Sequence, residues 1–275
     1  MEKQEAYNLP PDYHMHTFLC KHAIGEAAEY IKAARDLGIP EICFADHCPN
    51  PDGYDPDIRM DMGRFPEYRE MVAAQQGKGS PRVLFGIEAD YYSGCETFLR
   101  QWLPAQGFDF ILGSVHFIED WGFDNPGQRH VWDSVDVTAT WRKYFELVER
   151  LADSGLFDAL SHIDLPKKFG YRPSDKALKE MVRPALDRIA RAGMGMELNT
   201  SGLRRPVGEI YGAGPILSMA REREIPICFG SDAHSPQEVG AGFAPALNLA
   251  REAGYTHYFR MRDRKKVLIP LPEVR

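Results

Sequence analysis

The sequence predicts an α/β fold closed into a barrel of parallel strands. Two features argue for it. Short apolar runs alternate with amphipathic helical stretches along the whole chain, and 275 residues suit one barrel domain better than one sandwich. The third feature is negative: no GxGxxG or GxxxxGK loop follows any apolar run, which disfavours an open nucleotide-binding sheet.

Seven runs read as strands: PDYHMH at 11–16, EICFAD at 41–46, RVLFGIEA at 82–89, FDFILGSVH at 108–116, FDALSH at 157–162, GMGMELNT at 193–200 and IPICFGSD at 225–232. THYFRM at 256–261 is a weaker eighth. Between the first two lies IGEAAEYIKAARDLGI, where Ala27, Ala28, Ile31, Ala34 and Leu37 recur at helical spacing and predict one buried face. ATWRKYFELVERLADSG repeats the pattern with Trp141, Phe145, Val148 and Leu151, and stops at Gly155. ALKEMVRPALDRIARAG stops at Gly193, with Pro184 predicting a bend. The stretches 47–70 and 117–139, rich in Asp, Pro and Gly, read as long loops, which on a barrel usually carry function. No composition break marks a second domain, so residues 1–275 read as one unit.

The totals exclude several classes. With 44% hydrophobic and 27% charged residues, the chain has the balance of a globular protein. Its net charge of −7 lacks the basic face of a nucleic-acid binder. The one Lys/Arg run, RDRKK at 262–266, reads as a solvated edge. Five cysteines, an odd number without a CxxC pair, argue against a disulfide framework and for a reducing cytoplasm. MEKQEAYNLPPDYH has no apolar h-region, so no signal peptide is expected. No run approaches the roughly 18 apolar residues of a membrane span. Asn199-Thr200-Ser201 matches a glycosylation sequon and reads as a chance match.

The chemistry sits where the strands end. The first ends in His14 and His16, the second in Asp46 and His47, the third in Glu88 followed by Asp90, and the fourth in His116. The fifth ends in His162 with Asp164 following, the sixth in Glu197 and Asn199, and the seventh in Asp232 and His234. Counting His22, seven of nine histidines fall at or just after a strand end; His130 and His257 do not. In a parallel barrel all strand C-termini open on one face, so these residues converge. His14 and His16 alternate by two and point to one side of a strand. A nest of imidazoles and carboxylates is unstable without compensation, which divalent cations supply. The nitrogen and oxygen donors suit zinc, manganese or iron. Cys20 and Cys48, beside these positions, could bind zinc but read better as small buried neighbours.

The motifs DYHMHT, FADH, GIEADY, GSVHF, SHIDL and GSDAH together resemble the polymerase and histidinol phosphatase (PHP) family of metal-dependent phosphoesterases. The resemblance covers nearly the whole chain and implies a distorted (β/α)7 TIM-like barrel of PHP type holding three divalent metal ions (Zn, Mn or Fe). By motif, it implies one cation on His14, His16, Glu88 and Asp232. A second would share Glu88 and take His116 and His162; a third would take His22, His47 and His234. GSVHFIEDWGFD, SHIDLPKKFG and ELNTSGLRR most resemble the stand-alone histidinol-phosphate phosphatases of histidine biosynthesis.

That resemblance implies hydrolysis of a small phosphorylated amino alcohol by hydroxide held between two cations. Asp232 is expected to orient the nucleophile, Glu88 to bridge cations, and His234 to assist the leaving group where its coordination allows. Arg204, Arg205, Lys167 and Lys168 follow strand ends and are candidates for the phosphate. Glu119, Asp120 and Asp124 are candidates for the substrate ammonium, and Trp121 or Phe123 for its ring. Three rival readings stand beside this one. They are a PHP phosphoesterase acting on a nucleotide or other small phosphoester, a metal-dependent amidohydrolase, and a non-catalytic PHP-like domain. The bridging lysine common in amidohydrolases has no match here, and no metal-ligand position has been lost.

Overall fold

The computed structural model describes residues 9–51 and 53–272. Its central sheet contains β1 (Asp12–Met15), β2 (Glu41–Phe44), β3 (Arg82–Asp90) and β4 (Phe110–Ser114). A small antiparallel pair, β5 (Phe117–Ile118) and β6 (Trp121–Gly122), follows outside it. The sheet resumes with β7 (Ala159–Leu160), β8 (Gly195–Asn199) and β9 (Ile227–Gly230). All seven sheet strands pair in parallel, in the order β1-β2-β3-β4-β7-β8-β9. Just beyond the ends of β1 and β9 the circle is pinned. Met15 bridges Ala233, His16 N donates to the Ala233 carbonyl at 2.9 Å, and Ala233 N donates to that of His14 at 3.2 Å. The result is a nearly closed barrel.

The apolar runs behave as strands buried on both faces. One set of side chains fills the barrel interior: Tyr13, Cys43, Leu84, Phe110, Leu112 and Cys228 among them. The other set meets the helices α1 (Ala27–Asp36), α2 (Phe65–Ala73), α3 (Glu96–Gln106), α4 (Val137–Ser154), α5 (Asp175–Arg191), α6 (Pro215–Glu222) and α7 (Phe243–Glu252). Expected stops hold. Gly155 caps α4 in the left-handed conformation at φ 68°, and Gly193, at φ 64°, follows α5. No helix among the described residues is long and apolar enough to cross a membrane.

Four expectations need correction. In α1 the buried face is Ala27, Tyr30, Ile31 and Ala34, whereas Ala28 is exposed and Leu37 lies beyond the helix, 46% exposed. Tyr30 takes the place because its hydroxyl reaches the Ile24 carbonyl at 3.0 Å while its ring packs on Phe44. The stretch 47–70 is irregular only to about Asp61, since a 3₁₀ turn, Met62–Arg64, leads into α2 at Phe65, with Pro66 at its second position. The stretch 117–139 holds the β5–β6 pair and a 3₁₀ segment, Pro126–Ser134, before α4 begins.

The fourth correction concerns 256–261. It lies mostly within β10 (His257–Arg262), which pairs with β11 (Lys265–Pro270) as an antiparallel hairpin outside the barrel sheet. Phe259 and Met261 plug the N-terminal end of the barrel against Tyr13 and Phe110. The hairpin is pinned there by charge. Glu41, fully buried, accepts from Tyr13, Arg82, Arg260 and Arg262. RDRKK is therefore no free edge: Arg264 pairs with Asp158 at 2.6 Å and Lys266 reaches the Gly193 carbonyl at 3.0 Å.

Candidate metal centre

With one end plugged, the C-terminal rim is left for the strand-end residues, and strand alternation aims them inward. Gly86, Glu88 and Asp90 of β3 share a side, while Ile87 and Ala89 belong to the outer core. Glu88 lies at the middle, 1% exposed. Its Oε2 is 2.8 Å from His47 Nδ1, 3.4 Å from His14 Nε2 and 3.7 Å from His16 Nε2. Its Oε1 is 3.2 Å from His162 Nε2 and 3.7 Å from His116 Nε2, and accepts from the Ser114 hydroxyl at 2.5 Å. Asp232 faces it, with Oδ1 3.2 Å from His16 Nε2, 3.8 Å from His14 Nε2 and 3.5 Å from His234 Nδ1. Asp232 holds φ at 52°, a left-handed conformation unusual for a non-glycine residue.

Nine residues expected as ligands thus gather, though not in three separate sets. His14, His16 and Glu88 group together, as do His22, His47 and His234; His47 also groups with Glu88 and His116. In each group the ligand atoms lie within 4.8 Å of one another. His22 is the exposed member; the rings of His14, His16, His47, His116 and His162 are buried.

Around the nest, a further layer orients the rings. Glu197 Oε1 lies 2.9 Å from His14 Nδ1, and Asp90 Oδ1 lies 2.7 Å from His116 Nδ1. Asp46 Oδ1 is 3.6 Å from His16 Nδ1, its other oxygen being held by Thr17. His22 and His234 each place Nδ1 on a backbone carbonyl, Cys20 at 2.8 Å and Asp232 at 3.0 Å. Such contacts set the tautomer and leave the opposite nitrogen for a metal. Asp46, Asp90 and Glu197 stand at strand ends in the sequence, but nothing there paired them with particular imidazoles. Buried Arg59, which holds Asp90, had no sequence signal at all.

The electrostatics describe a site that wants cations. Burial opposes charge on His14, yet Glu197, Glu88 and Asp232 hold its imidazole well above the ordinary value. Burial likewise opposes charge on His116, but Asp90 and Glu88 push it up to about 9. Burial drives His47 and His234 well below the usual range. Glu88 is held well below the carboxylate range: burial would raise it, and His14, His47 and His116 outweigh that. His234 Nε2 is buried without a hydrogen-bond partner among the described residues, while His47 Nδ1 and Glu88 Oε2, at 2.8 Å, and His16 Nδ1 and Asp46, at 3.6 Å, face one another without forming an aligned hydrogen bond. Orphaned nitrogen and oxygen lone pairs converging this closely fit divalent zinc, manganese or iron.

The expected substrate contacts divide. Lys168 reaches Asp124 at 2.9 Å, and Asp124 is held below the carboxylate range: burial opposes this, but Lys168 and His116 outweigh it. Arg205 is exposed, and its charge bears on the hydroxyl of Tyr211, whose ring lies 6.1 Å from that of His162. Lys167 is instead buried, spanning Asp164 and the Ile210 carbonyl at 2.8 Å each. Arg204 braces the Asp232 turn, donating to the Ser231 carbonyl at 2.7 Å and pairing with Glu238 at 3.1 Å. Glu119 pairs with Lys143 at 2.7 Å and, with Asp120, lines a separate cleft that includes Tyr54 and Tyr92. Trp121 packs on Trp132 with centroids 4.8 Å apart, and Phe123 lies buried beneath them.

Comparison with known proteins agrees with this geometry. Residues 12–201 match the PHP domain, and residues 216–244 match a PHP-associated segment. A protein of Deinococcus radiodurans named "Probable histidinol-phosphatase" is 43% identical over 245 residues, 88% of this chain and 93% of that protein. The histidinol-phosphatase of Bacillus subtilis is 27% identical over 86% of this chain and 97% of its own length. Among solved structures, histidinol phosphate phosphatase of Lactococcus lactis, determined with zinc, L-histidinol and phosphate, shares the fold. Its TM-score is 0.81 at 21% identity, covering 94% of this chain and 98% of that one.

Proposed function

The chain belongs to the PHP domain family, and from that premise we propose that it hydrolyses L-histidinol phosphate to L-histidinol and phosphate as a metal-dependent phosphomonoesterase. The observation that carries the reading is the unsatisfied nest around Glu88 at the open rim of the barrel. The substrate follows from the relative that shares 43% of its residues over most of both chains. The reaction belongs to histidine biosynthesis, and the five buried, unpaired thiols suit a cytoplasmic setting.

In this reading His14, His16, Glu88 and Asp232 would hold one cation, Glu88 with His116 and His162 a second, and His22, His47 and His234 a third. Bound cations lower the pKa of water to about 7 and neutralise phosphate charge. The chain's own groups do the rest. Asp232, in its left-handed turn, orients the attacking water in line with phosphorus. Glu197 and Asp90 keep the His14 and His116 rings from turning. Lys168 and Arg205 bind the phosphoryl oxygens, Arg as a fork and Lys as a point charge. Arg204 braces the Asp232 turn through the Ser231 carbonyl, and Lys167 ties Asp164 to the Ile210 carbonyl. His234 places Nδ1 on the Asp232 carbonyl and would give Nε2 to the third cation, so it keeps no nitrogen for the leaving oxygen and serves as a ligand alone.

The test is a panel of phosphomonoesters, histidinol phosphate included, assayed on chelated and zinc- or manganese-reloaded protein. Histidinol phosphate should give the highest kcat/KM, with activity lost on chelation and restored by metal. His116→Ala should lower turnover by orders of magnitude without unfolding the barrel. Preference for a nucleotide would reassign the substrate, and activity indifferent to chelation would remove the metal mechanism.

A further inference from the structure

We infer that Arg59 is a positioning residue for the metal centre: its guanidinium fixes Asp90, and Asp90 holds the His116 ring so that Nε2 faces Glu88. The inference rests on the metal-centre reading above and extends it to the irregular segment before α2, which lacks any proposed ligand after His47.

Arg59 is only 2% exposed, although arginine is almost never fully buried without partners. Its Nη2 pairs with Asp90 Oδ2 and, at 3.2 Å, with Asp55; Nη1 lies 3.5 Å from the Cys48 carbonyl. The guanidinium also lies over the Tyr54 ring, 4.8 Å from its centroid. Tyr54 donates its hydroxyl to the same Asp90 oxygen at 3.2 Å. The second Asp90 oxygen is 2.7 Å from His116 Nδ1, leaving His116 Nε2 on the Glu88 side at 3.7 Å. A continuous series thus runs from Asp55 through Arg59 and Asp90 to a candidate ligand.

Stability alone does not account for it. A buried ion pair gains little over apolar packing of the same volume, so the orientation it gives Asp90 is the contribution the inference assigns it. The guanidinium plane reaches Asp90 and Asp55 with Nη2 while Nη1 faces the Cys48 carbonyl, so one rigid group fixes where Asp90 sits. Arginine presents a planar fork, whereas lysine offers a mobile point charge. Outer contacts of this kind change metal affinity by about 10–100-fold when removed.

The experiment titrates zinc into full-length wild type, Arg59→Met and Arg59→Lys against a chromophoric chelator, resolving successive dissociation constants. Arg59→Met should weaken one class of site by about 10–100-fold and leave another at the wild-type value, with Arg59→Lys in between. Adding Asp90→Asn to Arg59→Met should cost less affinity than it costs alone, because both act through His116. Unchanged affinity, or equal weakening of every class, overturns the inference. If Arg59→Met does not fold, Arg59→Lys decides: wild-type constants overturn it, and loss at one class supports it. Wild type that binds no stoichiometric zinc would instead remove the metal-centre reading itself.

Discussion

Gly230→Ala tests whether Glu197 positions His14. Gly230 ends β9 where it passes the site, and a Cβ there would lie 1.8 Å from Glu197 Oε1 and 2.7 Å from the Cβ of His14. Such a carbon does not approach an oxygen more closely than about 3.0 Å, so the carboxylate must retreat by about 1.2 Å. That displacement breaks the 2.9 Å contact to His14 and strains the 3.0 Å bond from Asn199 to the other oxygen. Losing a hydrogen bond to a charged group costs about 1.5–3 kcal/mol, and overpacking adds about 1–3 kcal/mol. Together they give about 2.5–6 kcal/mol, or roughly 4–10 °C in Tm at about 2.1 cal/mol/K of unfolding entropy per residue. Zinc affinity should fall by about 10–100-fold as the His14 ring loses its anchor. Thermal unfolding of the metal-free protein reads the first effect and chelator competition the second. A variant with wild-type Tm and zinc affinity would refute this account of Glu197.

Three further outcomes follow from other parts of the molecule. Phe259→Ala removes the fully buried ring that plugs the barrel base, and should cost about 3–5 kcal/mol in urea unfolding with zinc affinity unchanged, because the site lies at the other rim. Burial pushes Asp12 up to about 6, against the hydrogen bonds from Ser231 and Gly240. The folded-state value exceeds the ordinary 3.8, so this contribution to stability is full below about pH 4 and is lost as pH rises to about 6. The stability difference between metal-free wild type and Asp12→Asn should therefore shift by about 2.4 kcal/mol between pH 4 and pH 7, and a constant difference would contradict it. Finally, carboxylates outweigh burial to hold His14, His16 and His116 protonated near neutrality, whereas burial keeps His47 and His234 neutral. Metal uptake at pH 7 should release protons, seen as calorimetric heats that vary with buffer ionisation enthalpy; heats independent of buffer would count against it.

What the sequence by itself determined is the barrel and the imidazoles and carboxylates that meet at its rim. Both are periodic or terminal features of local segments. Alternation places His14 beside His16, and each apolar run announces where its strand stops, so the rim could be listed before the strands were assembled. What only the tertiary structure decided depends on contacts between distant segments. THYFRM looks like a strand from its own residues, but whether it joins the barrel depends on Tyr13 and Glu41, more than 200 positions away. The sequence shows adjacent basic pairs, yet Asp164 and the Ile210 carbonyl draw Lys167 inward while Asp124 holds Lys168 near the nest. Arg59 is the extreme case. Nothing in DPDIRMD distinguishes it from a solvated loop charge, and only closure of that loop over Asp90 removes it from water. Local pattern fixes what a segment can become, whereas burial and pairing of charge depend on which neighbours the fold brings within a few ångströms.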